Sequence, residues 1–84
     1  MTTRLLTLPR YRVILHRSTG TDLPSVVRAV RQLTRYGDAE ATHRMWEAYH
    51  CGSSTVFVTH LERAELLNEQ FAAFGLTTSL EPMP

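Results

Sequence analysis

Residues 10–16 read Arg-Tyr-Arg-Val-Ile-Leu-His, and residues 17–24 follow as Arg-Ser-Thr-Gly-Thr-Asp-Leu-Pro. The first stretch gathers Tyr, Val and Ile, side chains that suit a pleated and half-buried surface, so it predicts a strand. The hydroxyl and glycine cluster Ser18-Thr19-Gly20-Thr21 predicts the loop that ends it. Asp22 then predicts the cap of a helix beginning near Leu23, because its carboxylate can accept the otherwise orphaned amides of a first turn. Pro24 is tolerated in that turn, where its missing N–H costs nothing. Val26, Val27, Val30 and Leu33 recur at helical spacing and form one apolar stripe. Arg28, Arg31 and Arg35 fall on the other side.

The pattern continues outward. Tyr36-Gly37 predicts the end of the helix, with Gly37 in the left-handed conformation and Asp38 capping the next helix. That second helix is expected through about Tyr49, burying Ala41, Met45 and Ala48, and broken by Cys51-Gly52-Ser53-Ser54. Residues 54–59, Ser-Thr-Val-Phe-Val-Thr, predict a buried strand. A third helix is expected from about His60 to Phe74, with Leu61, Ala64, Leu67, Phe71 and Phe74 along one side. Thr59 and Glu62 have the spacing of a capping box, and Gly75 supplies the stop. Residues 76–82 predict a last short strand. The order β-α-α-β-α-β implies an α+β domain in which a three-stranded sheet covers three amphipathic helices. The expected organisation is a short arm over residues 1–9 and one domain over residues 10–84.

Composition agrees with this size. Eighty-four residues with 43% apolar and 20% charged content suit one small globular domain. The apolar runs, such as Val13-Ile14-Leu15, are too short for a membrane span. The opening MTTRLLTLPR has no continuous apolar stretch and does not read as a signal peptide. The single cysteine, Cys51, excludes an intramolecular disulfide and suits a reducing cytoplasm. The net charge of +1 hides a division. Residues 1–37 hold seven arginines against one acid, and residues 38–84 hold two arginines against seven acids.

Few residues suggest chemistry. His16, His43, His50 and His60 lack the close spacing of a metal site. His43 and His50 are two helical turns apart, and His50 and Cys51 are adjacent and diverge. Cys51 beside His50 does not supply the geometry of a nucleophile and its base. Glu62, Glu65 and Glu69 read as a solvated helical face. No catalytic residue, metal ligand or cofactor is expected, so the chain does not read as an enzyme. The stripe Arg28, Arg31 and Arg35 could contact phosphates, but the acids of the second half oppose nucleic-acid binding. Met45 and Trp46 are a hundred degrees apart around their helix, so both cannot face the same core; the expectation is that one lies at the edge of a pocket or contact surface, with core packing as the alternative.

Taken together, Tyr11-Arg12-Val13-Ile14-Leu15, Thr21 to Leu23, Tyr36, Ala41-Thr42, Met45, Gly52, Glu62-Arg63-Ala64-Glu65 and Thr77 to Pro82 resemble the ClpS adaptors of the bacterial Clp protease. The resemblance covers nearly the whole chain and runs ungapped from Tyr11 to about Glu65. It implies a non-enzymatic adaptor, located in the cytoplasm, that docks on the N-terminal domain of a Clp-type AAA+ unfoldase. Such an adaptor delivers proteins by their N-terminal segments, holding a bulky hydrophobic first residue. The task needs an apolar pocket for the side chain and acceptors at its rim for the α-ammonium group.

By resemblance, Thr21, Leu23, Val26, Met45 and Ala48 match the pocket lining, with Met45 as the residue that gates its size. The family's Asn-Asp-Asp rim is here Arg17-Ser18-Thr19. Its rim histidine aligns with Tyr49, with His50 one residue later, so either can reach the rim. Glu62 and Glu65 stay in register with the unfoldase-docking face, while a docking lysine aligns with Leu67. The expectation is therefore substrate delivery with altered amine recognition. The alternatives are an interaction or inhibitory module of the same fold without amine binding, and a small nucleic-acid-binding domain.

Overall fold

The computed structural model describes residues 9–84. Most of the expected arm, residues 1–8, lies outside the described residues. Strand β1 is Arg10–His16, helix α1 Leu23–Thr34, helix α2 Asp38–Cys51, strand β2 Ser53–His60, helix α3 Leu61–Ala73 and strand β3 Thr78–Pro82. β1 is the central strand and pairs antiparallel with both β2 and β3. This is the expected α+β order, β-α-α-β-α-β, with a three-stranded antiparallel sheet and three helices.

Alternation along β1 fixes which side of the sheet the helices cover. Val13 and Leu15 are buried, whereas Arg12, Ile14 and His16 are only half-buried. The register of β1 on β2 shifts between Val13 and Ile14, where Val13 faces Phe57 and Ile14 faces Thr55. This irregularity lets the sheet bend locally. Val56 joins Val13 and Leu15 in a core completed by Val26, Ala29 and Val30 of α1, Ala41, Met45 and Ala48 of α2, and Ala64, Leu67 and Phe71 of α3. Small residues on α1 and α2, Ala29 and Ala41 among them, let the backbones approach closely.

The helix ends differ from expectation in instructive ways. Asp22 does cap α1: its carboxylate accepts the Ser25 amide at 3.2 Å and the Ser25 hydroxyl at 2.8 Å. The left-handed residue after α1 is Arg35, at φ 65°, and not Gly37, which has ordinary extended geometry. The Arg35 amide bonds the Arg31 carbonyl, and the buried Thr34 hydroxyl donates to the Val30 carbonyl, so the turn closes before the glycine is reached. Gly37 is the N-cap of α2, and Asp38 lies inside its first turn rather than capping it. Asp38 still favours the positive end of that helix.

Thr59 is likewise not the cap of α3. Strand β2 continues through it to His60, and Thr59 is buried in the sheet. At the other end of α3, the Leu76 amide bonds the Phe71 carbonyl and the Gly75 amide bonds the Ala72 carbonyl. This is a Schellman arrangement, with Gly75 at φ 80° as its left-handed residue. It returns Leu76 to the core beside Phe71. Leu61 and Phe74 overhang the two ends of α3 and are exposed rather than buried. Helix α2 reaches Cys51, which is exposed, and β3 begins at Thr78 rather than Leu76.

Candidate functional site

The loop between β1 and α1 is the first builder of the site. The His16 amide bonds the Thr77 carbonyl and the Arg17 amide bonds the Gly52 carbonyl. The chain leaving β1 is thereby stitched to the start of β3 on one side and to the end of α2 on the other. Gly52 is at φ 94°, a left-handed geometry that closes α2 through its amide bond to the Ala48 carbonyl. The same residue thus ends α2 and receives the loop. His16 Nε2 lies 2.6 Å from the Ser79 hydroxyl and ties β1 to β3 once more.

Two adjoining cavities open here. The inner one is lined by Leu15, His16, Arg17, Ser18, Leu23, Val26, Met45, Ala48, Tyr49 and Leu76. It contains only about 10 Å³ of free space, room for roughly one water. The outer one is a cleft of about 610 Å³ lined by Arg17, Ser18, Thr19, Thr21, Asp22, Leu23, Tyr49 and His50. Every candidate substrate-binding position from the sequence lies on one or both: Val26, Met45 and Ala48 within, Thr19, Thr21 and His50 without, and Arg17, Ser18, Leu23 and Tyr49 at the junction. Leu15, His16, Leu76 and Asp22 also line the cavities. Asp22 carried a signal as a helix cap; Leu76 carried none, because only the turn after α3 brings it here.

The electrostatics of the mouth are sparse. Asp22 is its one acidic lining residue and Arg17 its one arginine. Hydrogen bonds from the side chain and backbone of Ser25 hold the Asp22 carboxyl below the ordinary carboxylate value, so it stays charged at neutral pH. The Arg17 guanidinium lies 5.9 Å from the centre of the Tyr49 ring, within reach of a cation–π contact. Trp46, Tyr49 and His50 form an exposed aromatic group on α2: the Trp46 and His50 rings are stacked at 5.3 Å, and Tyr49 meets both edge-on. Met45 is buried and Trp46 is exposed, which settles how that pair divides.

Helix α2 carries much of this site and is anchored from behind. The Ser54 hydroxyl donates to Glu47 at 2.6 Å, and Arg44 lies 3.5 Å from the same carboxylate. The Ser54 bond, with Arg44 adding to it, holds the Glu47 carboxyl below its ordinary value of 4.5. A carboxyl depressed by folding stabilises the fold fully above its unfolded value, and that contribution is lost as pH falls through the folded value. Ser54→Ala is therefore expected to move the Glu47 pKa up toward 4.5. It should also shrink the loss of stability on acidification below that pH. Carboxyl NMR titration and urea unfolding at two pH values check this.

Other sequence candidates lie elsewhere. Glu62 and Glu65 are exposed on α3, away from both cavities. Beside Glu62 is a separate, largely apolar hollow of about 330 Å³ formed with Pro9, Tyr11, His60 and Leu61. In the basic stripe, Arg31 Nε is paired with Asp38 at 2.9 Å, which partly offsets one of its three cations. Among the described residues no three His, Cys, Asp or Glu side chains gather where a metal ion could sit. Among the described residues no helix is long and apolar enough to cross a membrane.

Comparison with known proteins adds a family to this geometry. Residues 7–79 match the family model described as ATP-dependent Clp protease adaptor protein ClpS. The chain is 35% identical over 75 residues to an ATP-dependent Clp protease adapter protein ClpS from Synechococcus sp. (strain CC9902), covering 88% of this chain and 72% of that one. It is 34% identical over 82 residues to the protein of the same name from Synechococcus elongatus, covering 96% and 86%. Among solved structures, that of Agrobacterium tumefaciens ClpS2 bound to L-phenylalaninamide superposes with a TM-score of 0.81 at 25% identity. It covers 89% of this chain and 98% of that one.

Proposed function

The chain belongs to the ClpS family of ATP-dependent Clp protease adaptors, and from that premise we propose that it delivers to a Clp-type AAA+ unfoldase proteins that begin with a bulky hydrophobic residue, through an altered mode of amine recognition. Its named relatives are adaptors rather than enzymes. The observation that carries the proposal is a narrow apolar pocket directly beneath a wider polar mouth. An apolar first side chain gains by leaving water for Leu23, Val26, Met45, Ala48 and Leu76. The related ClpS2 is bound to L-phenylalaninamide, an aromatic amino-acid amide, which supports the reading.

The inner pocket is nearly filled by its own walls. Admission of a leucine or phenylalanine side chain therefore needs one wall to swing, and Met45 is suited to it. Its unbranched thioether has three rotatable bonds and repacks at low cost. At the mouth, the α-ammonium has Asp22, the Ser18 and Thr21 hydroxyls and the Tyr49 phenol as acceptors. Arg17 opposes it. Amine recognition is thus retained in weakened form, resting on Asp22, a carboxylate already committed to the Ser25 cap.

Glu62 and Glu65 of α3 are the proposed contact with the unfoldase N-terminal domain. The test is degradation of a reporter by a reconstituted Clp unfoldase and protease, with and without this chain. A reporter beginning with Leu or Phe should be degraded faster when the chain is present, and one beginning with Ser should not. Equal rates for both reporters would overturn delivery by first residue. They would favour the second reading that Arg17 invites, an interaction or inhibitory module without amine binding.

A further inference from the structure

The mouth of the site holds one acid and one arginine, and a ligand that matches it carries one positive and one negative charge close together. We propose that this adaptor selects substrates whose second residue is acidic, with Arg17 as the residue that reads it. The inference rests on the proposed function, since it presumes that the first side chain occupies the inner pocket.

Successive side chains of an extended peptide point to opposite sides, about 3.3 Å apart along the chain. When the first side chain is directed inward against Met45 and Ala48, the second is directed outward at the mouth. Arg17 lines both the inner pocket and the outer cleft, so it stands at that transition. It is exposed, and its guanidinium is held near the face of Tyr49 with no carboxylate partner among the described ion pairs. Its planar fork can therefore take a carboxylate in two parallel hydrogen bonds without giving up an existing one. Asp22, the other charge of the mouth, faces the Ser25 amide at the start of α1 and is the natural counter-charge for the ammonium. His50 also lines the mouth, on α2 beside Tyr49, and adds a hydrogen-bond donor rather than an opposing acid.

A rim residue of positive charge thereby becomes a filter on the residue that follows the first. An acidic second residue brings its own counter-charge and offsets the repulsion between Arg17 and the ammonium. A lysine there adds a second repulsion.

The test is fluorescence anisotropy with labelled peptides beginning Leu-Asp, Leu-Ala and Leu-Lys, each also made with an acetylated N-terminus. Exposed ion pairs of this kind change affinity by a few-fold each, so Leu-Asp is expected to bind about fivefold to tenfold more tightly than Leu-Lys, with Leu-Ala between. The ratio should shrink toward one at 0.5 M salt, roughly where screening falls to a few Å. It should vanish in Arg17→Ala and survive in Arg17→Lys. Equal affinity of the three free-amine peptides, with acetylation still weakening all of them, would overturn this inference and leave the proposed function standing. Indifference to acetylation would overturn the proposed function, and the inference with it. A ratio that persists in Arg17→Ala would also overturn it, because the discrimination would then belong to another group.

Discussion

Phe71→Ala is expected to destabilise this domain by about 3–5 kcal/mol, the range for deleting a buried aromatic ring. Phe71 is the largest fully buried side chain and sits on α3 in the core beneath the sheet. A domain of this size has a total stability of roughly 4–12 kcal/mol, so the loss is a large share of the whole. The midpoint should fall by at least 12 °C or so, since 1 kcal/mol corresponds to about 4–8 °C for a domain of this length. The consequence reaches the site. The Phe71 side chain shares its buried core with Leu76, and Leu76 lines the inner pocket. Peptide binding should therefore weaken even at temperatures where the variant remains folded. Thermal unfolding by circular dichroism checks the first effect. A loss below about 1.5 kcal/mol, the cost of a tolerated core swap, would mean that Phe71 is not the centre of the packing.

Arg17→Asp is expected to tighten binding of a free-amine peptide about tenfold. Two unit charges 4 Å apart at an effective dielectric near 20 interact by roughly 4 kcal/mol, but an exposed and flexible side chain realises far less. Measured exposed pairs contribute about 0.2–1 kcal/mol. Replacing a repulsion by an attraction counts this twice, which gives roughly 0.4–2 kcal/mol, or about twofold to thirtyfold. The substitution leaves the backbone bond from Arg17 to the Gly52 carbonyl intact, so the loop should keep its place. Acetylated peptides with an uncharged second residue should be unaffected, and the gain should shrink with added salt. Equal tightening of free and acetylated peptides would show that the effect is not on the amine. The preference at the second residue should also reverse, with lysine now favoured.

The order of elements was legible because each element carries a local signal that packing reinforces. Tyr11, Val13 and Leu15 alternate in β1, and Ala41, Met45 and Ala48 recur at helical spacing and are all buried. Helix ends were less legible because several residues compete for each cap. Gly37 was the obvious left-handed residue by propensity, yet Arg35 takes that geometry. The Thr34 hydroxyl bonds the Val30 carbonyl and leaves the turn already closed. Thr59 had the spacing of a capping box, but its burial in β2 outweighed a local hydrogen bond. Leu61 and Phe74 match the apolar stripe of α3 but stand exposed at its two ends.

The candidate site was legible as positions: the family resemblance named ten that the fold gathers around two adjoining cavities. The remaining walls were not. Leu15 read only as a strand core residue, and Leu76 reaches the pocket through the Schellman turn at Gly75. Asp22 read only as a helix cap, although the carboxylate that caps α1 also lines the mouth. Tertiary placement creates these roles, and no local pattern encodes them. The charge division of the chain acquires a sharper sense in the same way. The basic half supplies Arg17 to the mouth, and the acidic half supplies Glu62 and Glu65 to α3.

The central claim is that the inner pocket takes a bulky first side chain while a weakened rim still senses its free amine. The most direct measurement is the affinity of one leucine-first peptide in two forms, free and N-acetylated, by fluorescence anisotropy on the unmodified chain. Acetylation is expected to weaken binding by about fivefold, the worth of one partly screened charge contact with its hydrogen bond. Identical affinities for the two forms, or no binding of the free form, would contradict the account.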